Sequence, residues 1–245
     1  MQRVARVHSR IPNPLESVKA ADARGLPRWA ELLIAFAGLI LTTPLIALSG
    51  IAIALSSGFP ILFRQTRVGK DGRNFELYKL RTMRPSAGGP LITSGADARI
   101  TRLGNFLRHT KLDELPAIWN VLRGEMSLVG PRPEVPRFVN LDDPTWRKVL
   151  SVRPGITDPV SVHLRSEADL LAQVAGDTEQ FYVNELQPAK LQGYLAYLEE
   201  RSWSSDLKIL LRTFVAVVKP AKVTPLLTAN QRDSAPAPDD LNEGH

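Results

Sequence analysis

The sequence predicts a mostly α-helical protein of the α+β class. We expect a re-entrant apolar helix near the N-terminus, packed on a compact domain with one small β-hairpin and amphipathic interfacial helices. One long uncharged segment, two short segments flanking a glycine-containing turn, and three segments with helical apolar spacing carry this prediction. We divide the chain into a basic N-terminal tail (1–28), a membrane helix (29–58), a compact domain (59–219) and a disordered C-terminal tail (220–245).

The membrane helix is predicted from the absence of charge. Residues 32–63 contain no charged side chain, and the stretch 29–55 is the most apolar part of the chain. About 20 apolar residues are enough to span a bilayer. A cleavable signal peptide is disfavoured, because residues 1–28 are polar and the apolar run is too long. A buried core helix is the alternative, which the length of the uncharged run also disfavours.

We predict that this helix is broken at Thr43-Pro44 and returns to the face from which it enters. A proline inside a helix removes one hydrogen bond and clashes with the carbonyl four residues back. Threonine hydroxyls can satisfy the backbone groups that are freed. Basic residues flank the segment equally on both sides, so the positive-inside rule gives no direction. A simple span across the bilayer is the alternative.

The β-hairpin is predicted from two segments, 61–68 and 74–80, which flank a connection with two glycines at 69–73. A glycine-containing connection of this length is typical of a hairpin. The following segment, 84–95, contains two prolines and three glycines and is predicted to be a loop.

Three segments place apolar residues on one helical face. They begin at Ile100, at Leu112 and at Leu207, and the last of them is ended by Lys219-Pro220. The stripe of the last helix fits either the protein core or a lipid interface. We therefore expect a compact, mostly helical unit beside the membrane.

Composition and charge narrow the function. Hydrophobic residues make up 44% and charged residues 23% of the 245 residues, which is typical of a globular protein. The absence of cysteine excludes disulfides, thiolate metal sites and a cysteine nucleophile. The net charge of +6 suits nucleic acid, anionic lipid or a phosphate-rich substrate. No nucleic-acid-binding motif accompanies this charge, so we expect no nucleic-acid partner.

Two adjacent carboxylates, Asp113 and Glu114, are the candidate catalytic residues. Neighbouring helical residues point about 100° apart, so one carboxylate can attack while the other holds a cation. The alternative is a capping box, in which Thr110 caps the helix and Asp113 reaches back to it. In a first helical turn we expect Asp113 to be exposed. Pro116 biases the preceding residue away from helical geometry.

Cations are numerous in the turn-rich segments around this pair. Two of them, Arg132 and Arg153, stand next to prolines that restrict the backbone. Arginine can bind a phosphate through two parallel hydrogen bonds. The alternative is a generic basic surface that meets anionic lipid. The candidate phosphate-binding cations are Lys79, Arg81, Arg108, Lys111, Arg132 and Arg153.

Five short strings then follow one another along the chain: FRQTRVG at 63–69, YKLRTM at 78–83, LDELP at 112–116, NVLRGEMSLVGPRP at 120–133 and RPGIT at 153–157. In this order they resemble the bacterial sugar transferases, the small monotopic polyprenyl-phosphate phosphoglycosyl transferases. The resemblance extends from about Arg28 to Val218. An ordered set of this length is highly specific to the family.

The resemblance implies a reaction. Members of the family transfer a sugar 1-phosphate from a UDP-sugar to undecaprenyl phosphate and release UMP. This is the first membrane step of polysaccharide or glycoconjugate assembly, carried out by a cytoplasmic catalytic domain at the bacterial inner membrane. Asp113 matches the nucleophile that forms a phosphosugar-aspartyl intermediate, and Glu114 matches the residue that helps to bind the cofactor Mg²⁺. The implied substrate-binding residues are Lys79, Arg81, Thr82, Arg108, Arg132 and Arg153.

The chain departs from the family pattern at three places. Thr43-Pro44 replaces a Ser-Pro pair, and Glu31 replaces an aspartate while the neighbouring Arg28 is kept. Residues 158–167 replace a glycine-containing segment that, as the resemblance implies, lies near the sugar nucleotide, so the resemblance does not indicate which sugar is used. A different class of function is a catalytically silent membrane scaffold of a glycan-assembly complex, against which the intact Asp-Glu pair argues. A homodimer is compatible with the sequence.

Overall fold

Helices make up most of the structure, a computed structural model that describes residues 24–84, 92, 97–160, 167–172, 174 and 177–218. The helices are α1 (Arg28–Ser57), α2 (Arg102–His109), α3 (Ile118–Leu122), α4 (Pro144–Val149), α5 (Glu167–Ala172), α6 (Thr178–Phe181), α7 (Gln187–Glu200) and α8 (Trp203–Val218). The strands are β1 (Leu62–Val68), β2 (Asn74–Leu80), β3 (Ser127–Val129) and β4 (Gly155–Thr157). The predicted mostly helical α+β class is confirmed. Nearly all of the predicted tails and most of the loop 84–95 lie outside the described residues.

The predicted hairpin is confirmed. Strands β1 and β2 pair antiparallel, from Leu62 opposite Leu80 to Val68 opposite Asn74. The turn between them holds Gly72 at φ 75°, a conformation that glycine adopts without steric cost. Phe75 and Leu77 of β2 are buried in the main apolar cluster, which attaches the hairpin to the core.

A second, parallel pair of strands was not predicted. Ser127 of β3 lies opposite Gly155 of β4, and Val129 lies opposite Thr157. The two chains approach so closely that a Cβ atom on Gly155 would lie 2.1 Å from the backbone nitrogen of Gly130. Strands of three residues are too short for an alternating pattern to be recognised, and only this pairing defines them.

Helix α1 corrects the prediction of a break. The chain is helical without interruption from Arg28 to Ser57, with Pro44 inside the helix. The hydroxyls of Thr42 and Thr43 donate to the carbonyls of Gly38 and Leu39, both at 2.7 Å. Proline removes a single hydrogen bond, and the hydrogen bonds on either side of it maintain the helix.

One face of α1 packs on the rest of the protein and the opposite face is exposed. Glu31, Ala35, Gly50 and Ile53 are buried. On the outer face large apolar side chains are open, and Leu55 is 84% exposed. The helix has a mean hydropathy of 2.2 in its most apolar part and is long enough to cross a membrane by length and composition.

Both ends of α1 contact the same folded unit. At the N-terminal end, Arg28 donates to the Met126 carbonyl at 3.1 Å, and Glu31 accepts from the backbone N–H of Leu128 at 3.3 Å. At the C-terminal end, Ile53 packs in a buried cluster with Leu80. The domain therefore contacts both ends of the helix.

The remaining predicted helices are confirmed in part. Helix α2 occupies the first segment, and α8 begins at Trp203, four residues before the predicted start. The single helix predicted from Leu112 to Leu122 is wrong. A 3₁₀ turn, Leu112–Ala117, precedes the short helix α3, because Pro116 disfavours α-helical geometry before it.

Candidate active site

The two candidate carboxylates lie on the 3₁₀ turn between α2 and α3, and we call Asp113 and Glu114 the dyad. Lys111 begins this turn in the left-handed region, at φ 59°. Asp113 is only 6% exposed, so the expectation of an exposed carboxylate was wrong. The backbone reversal at Lys111 turns the dyad inwards, which the residue spacing alone did not indicate.

The capping alternative for Asp113 was also wrong. Thr110 ends α2, and its hydroxyl donates to the Phe106 carbonyl at 2.8 Å instead of capping the turn that follows. The Asp113 Oδ1 atom is buried and has no hydrogen-bond partner in the described part of the chain. A buried carboxylate oxygen without a partner is rare in proteins and favours a role with substrate or metal over a structural role.

Burial raises the pKa of Asp113, and the negative charge of Glu114 raises it further. The positive charges of Lys79, Lys111 and Arg108 act in the opposite direction and favour the ionised carboxylate. A buried carboxylate whose pKa is raised by desolvation and by a neighbouring charge is typical of a functional site.

Glu114 is held between two predicted cations. Its Oε1 atom accepts from Lys79 Nζ at 2.9 Å and from Arg132 Nη2 at 2.6 Å. Burial by itself would raise the pKa of Glu114, but the charges of Arg132 and Lys79 hold it well below its usual range. Glu114 is therefore ionised at neutral pH, and its neighbour Asp113 has a different electrostatic environment.

Arg67 belongs to the same site and was missed by the sequence reasoning. We call the depression lined by Arg67, Lys79, Glu114 and Arg132 the cleft. Arg67 donates to the Pro133 carbonyl at 3.0 Å, and burial lowers its pKa. The sequence gives little signal for Arg67. Only Val68 is buried in β1, so the alternation of side chains along the strand does not single out Arg67 as a site residue.

Arg81 and Thr82 form hydrogen bonds at the ends of two helices. Arg81 is buried and donates from Nη2 to the carbonyls of Ser57 and Gly58, at 2.8 and 2.6 Å. It thus closes the C-terminal end of α1, where a cation is favourable. The carbonyl of Thr82 accepts from the backbone N–H of Thr101 at the start of α2, at 3.1 Å.

Arg153 contacts the turn that follows α3, where its Nε donates to the Gly124 carbonyl at 3.0 Å. The structure thus brings Lys79 and Arg132 of the predicted substrate-binding residues into contact with Glu114. For Arg81, Thr82 and Arg153 the contacts described above support the fold.

The dyad is compatible with the predicted Mg²⁺. Among the described residues there is no group of three or more histidine or acidic side chains for a metal ion. Mg²⁺ however keeps several waters and binds one or two carboxylates together with substrate phosphates. Lys79 and Arg132 both contact the Oε1 atom of Glu114, so the Oε2 atom is the one that could bind the metal ion. Asp113 offers its unpartnered Oδ1 atom as a second ligand.

The sequence pattern of the family described as "Bacterial sugar transferase" matches residues 23–220. The chain belongs to the bacterial sugar transferase family.

This bacterial sugar transferase is similar to several named proteins. A Bacillus subtilis protein, provisionally named an undecaprenyl-phosphate N-acetylgalactosaminyl 1-phosphate transferase, is 44% identical over 124 residues. A UDP-glucose:undecaprenyl-phosphate glucose-1-phosphate transferase of Caulobacter vibrioides is 39% identical over 178 residues, or 71% of this chain. The protein of the same name in Escherichia coli is 34% identical over 200 residues, or 78% of this chain.

The coverage of these relatives is uneven. The similar region spans 69% of the Bacillus protein, 62% of the Caulobacter protein and 39% of the Escherichia coli protein. The transferase thus matches less than two thirds of two of the three relatives. Their names differ in the sugar, glucose or N-acetylgalactosamine, and agree in sugar 1-phosphate transfer to undecaprenyl phosphate.

Proposed function

We propose that this bacterial sugar transferase moves a sugar 1-phosphate from a UDP-sugar to undecaprenyl phosphate and releases UMP. The names of its relatives support the overall reaction. The observation in this chain that carries the proposal is the dyad. Asp113 has a buried carboxylate oxygen without a partner, beside a glutamate held between Lys79 and Arg132.

The reaction proceeds as two displacements through Asp113. Its carboxylate oxygen attacks the phosphorus that bears the sugar, an oxygen–phosphorus bond forms, and the bond to UMP breaks. A phosphate oxygen of undecaprenyl phosphate then attacks the same phosphorus and releases the Asp113 carboxylate. A covalent intermediate divides one difficult transfer into two easier steps. The nearby charges of Lys79, Lys111 and Arg108 favour the ionised form that attacks.

The cleft supplies charge for the diphosphate of the donor. Arg67, Lys79 and Arg132 contribute three positive charges, and the carboxylates that contact them are Glu114 and Glu134. One positive charge is thus in excess before a substrate binds. Phosphoryl transfer depends on positioning and charge neutralisation more than on acid–base chemistry. Arginine also matches the geometry of two phosphate oxygens.

The cofactor of this reaction is proposed to be Mg²⁺, held by Glu114 together with phosphate oxygens of the donor. Bound there, it would neutralise charge on the diphosphate. Within the chain, Lys79 and Arg132 fix the orientation of the Glu114 carboxylate from one side, at 2.9 and 2.6 Å.

The position of α1 supports a protein that stays on one side of the inner membrane, with its catalytic domain in the cytoplasm. A spanning helix emerges on two sides that are separated by about 30 Å of hydrocarbon. One water-exposed domain cannot contact both of its ends. Arg28 contacts the domain at one end of α1 and Arg81 contacts Ser57 at the other. The exposed apolar face of α1 is thus proposed to enter the lipid from the cytoplasmic side and not to cross it.

UMP release tests the reaction. Detergent-purified protein is incubated with Mg²⁺, undecaprenyl phosphate and each of a panel of UDP-sugars. We expect UMP that requires the lipid phosphate and disappears in Asp113→Asn. Asp142→Asn is the matched control, because that side chain is fully exposed, and it should retain wild-type turnover. Wild-type turnover in Asp113→Asn would refute the assignment of the nucleophile.

The covalent intermediate has a separate test. Without the lipid acceptor, intact mass spectrometry of the protein with the active UDP-sugar should show an added sugar phosphate that Asp113→Asn lacks. If neither UMP nor this adduct forms with any sugar, the scaffold alternative is favoured.

A further inference from the structure

A chain of polar side chains extends from the cleft into the α6–α7 region. It consists of Glu134, Tyr182, Lys190 and Glu167. The Tyr182 hydroxyl donates to Glu134 Oε2. Lys190 Nζ donates to the Tyr182 hydroxyl at 3.4 Å and to both carboxylate oxygens of Glu167 at 3.1 Å. Tyr182 is 4% exposed and Lys190 is 6% exposed, so the middle of the chain is inside the protein.

At its other end this chain reaches Arg67 in the cleft. Glu134 accepts from Arg67 Nη1 at 3.4 Å, through Oε1. The same oxygen accepts from the backbone N–H of Val135 at 2.8 Å, which fixes the carboxylate. On its other side Arg67 donates to Gln65 at 2.6 Å. Glu134 is therefore one of three groups that orient the guanidinium, beside Gln65 and the Pro133 carbonyl, and Tyr182 in turn orients Glu134.

Stability alone is a weak explanation for this arrangement. Buried ion pairs often contribute less to stability than well-packed apolar side chains of similar volume. Lys190 has a buried ammonium group that packs over the Tyr182 ring at 5.1 Å and contacts Glu167. Tyr182 also begins a π-helical turn, Tyr182–Leu186, between α6 and α7. Such turns are rare and frequently occur at functional sites.

We propose that Tyr182 and Lys190 are positioning residues for donor binding. Through Glu134 they hold the Arg67 guanidinium in the orientation that binds the diphosphate of the UDP-sugar. This inference rests on the proposed function. It also connects the donor site to Glu167, which ends the segment 158–167 where this chain departs from the family pattern. Glu167 would thereby influence how tightly the donor is held.

Binding of UDP to the detergent-purified full-length protein tests the proposal, measured by isothermal titration calorimetry. Tyr182→Phe removes one oxygen atom and keeps the ring, whose centroid lies 5.5 Å from that of Phe138. We expect the Kd for UDP to rise about tenfold, the effect of losing one hydrogen bond to a charged group. Arg67→Ala should weaken binding at least as much. In the Arg67→Ala background, Tyr182→Phe should have no further effect.

Tyr197→Phe is the matched control. Tyr197 is a buried tyrosine whose hydroxyl also donates to a carboxylate, Asp206, at 2.7 Å. Its loss should lower thermal stability and leave the Kd for UDP unchanged. Wild-type affinity in Tyr182→Phe, equal weakening in Tyr197→Phe, or additive effects of Tyr182→Phe and Arg67→Ala would each overturn the positioning role.

The outcomes also separate this inference from the proposed function. If the wild type binds UDP with the expected pattern among the variants but releases no UMP, the positioning role stands and the proposed reaction fails. If the wild type turns over but Tyr182→Phe changes neither the KM for the donor nor the Kd for UDP, only the positioning role fails. A wild type that neither binds UDP nor releases UMP would overturn both.

Discussion

Asp113→Asn should abolish turnover and raise the stability of the protein. Burial raises the pKa of Asp113, so the folded state disfavours its charged form. The buried Oδ1 atom has no hydrogen-bond partner in the described residues that would offset the loss of water. Asparagine has nearly the same shape and no charge. The variant therefore removes the nucleophile and the desolvation cost together.

The size of the expected rise in stability follows from the burial of Asp113. A buried polar group without a partner costs about 1–3 kcal/mol. Asparagine keeps a carbonyl oxygen at this place, so we expect the lower end of that range, about 1 kcal/mol. For a chain of 245 residues this corresponds to a rise in Tm of roughly 2–4 °C.

Asp206→Asn is a control with the opposite sign. Asp206 is buried like Asp113, with 0% of the residue exposed. Unlike the Oδ1 atom of Asp113, its carboxylate oxygens accept hydrogen bonds, from the Tyr197 hydroxyl at 2.7 Å and from the Leu26 backbone N–H at 3.0 Å. It also forms an ion pair with the buried Arg201 at 3.3 Å. Removing one partner of a buried ion pair costs about 3–5 kcal/mol. The Tm of this variant should fall by roughly 6 °C or more.

The Tm of the wild type, of Asp113→Asn and of Asp206→Asn is measured by tryptophan fluorescence during heating at one fixed scan rate. The advantage of Asp113→Asn should shrink as the pH is lowered towards 3.8, the ordinary aspartate value. A group whose folded pKa is raised destabilises the folded state only at a pH where it would be ionised, and protonated Asp113 is as neutral as asparagine. A Tm below that of the wild type at neutral pH would refute the reasoning about Asp113.

Three further predictions concern other parts of the molecule. Lys111→Gln removes a positive charge that lowers the pKa of Asp113, so the acid limb of the pH profile of UMP release should move to higher pH; an unmoved limb would contradict this. Gly104→Ala would place a Cβ atom 1.9 Å from a backbone carbonyl oxygen, and unfolding experiments should show a loss of about 1–3 kcal/mol, whereas wild-type stability would mean that α2 can shift. Because the chain has no cysteine, single cysteines in Ala23→Cys and Asp142→Cys can be labelled selectively in inverted and right-side-out vesicles. Both should react only from the cytoplasmic side, and labelling from opposite sides would show that α1 crosses the membrane.

Local sequence patterns were sufficient to predict the elements whose interacting residues are close in sequence. The hairpin β1–β2 was predicted from two segments around a short glycine-containing turn, and the structure pairs these segments antiparallel. Helices α2 and α8 were predicted from apolar residues at helical spacing. In each case the residues that interact are close in sequence, so the pattern of side chains along the chain is enough.

Pairing between distant residues could not be predicted in the same way. The strands β3 and β4 are three residues each and define each other only across the pair Ser127–Gly155. The predicted break at Pro44 also depended on context, because the helix α1 continues through it with hydrogen bonds from Thr42 and Thr43. Propensity is a weak guide where one lost hydrogen bond competes with many that remain.

Residue order alone was sufficient to predict the long apolar helix, the hairpin and the adjacent pair Asp113-Glu114, because each depends on neighbouring residues. The packing of distant elements was needed to show that Asp113 is buried, that Glu114 lies between Lys79 and Arg132, and that Arg67 lines the same cleft as Glu114. Burial and charge pairing depend on elements far apart in the chain. The electrostatic difference between two adjacent carboxylates therefore arises from the fold that surrounds them.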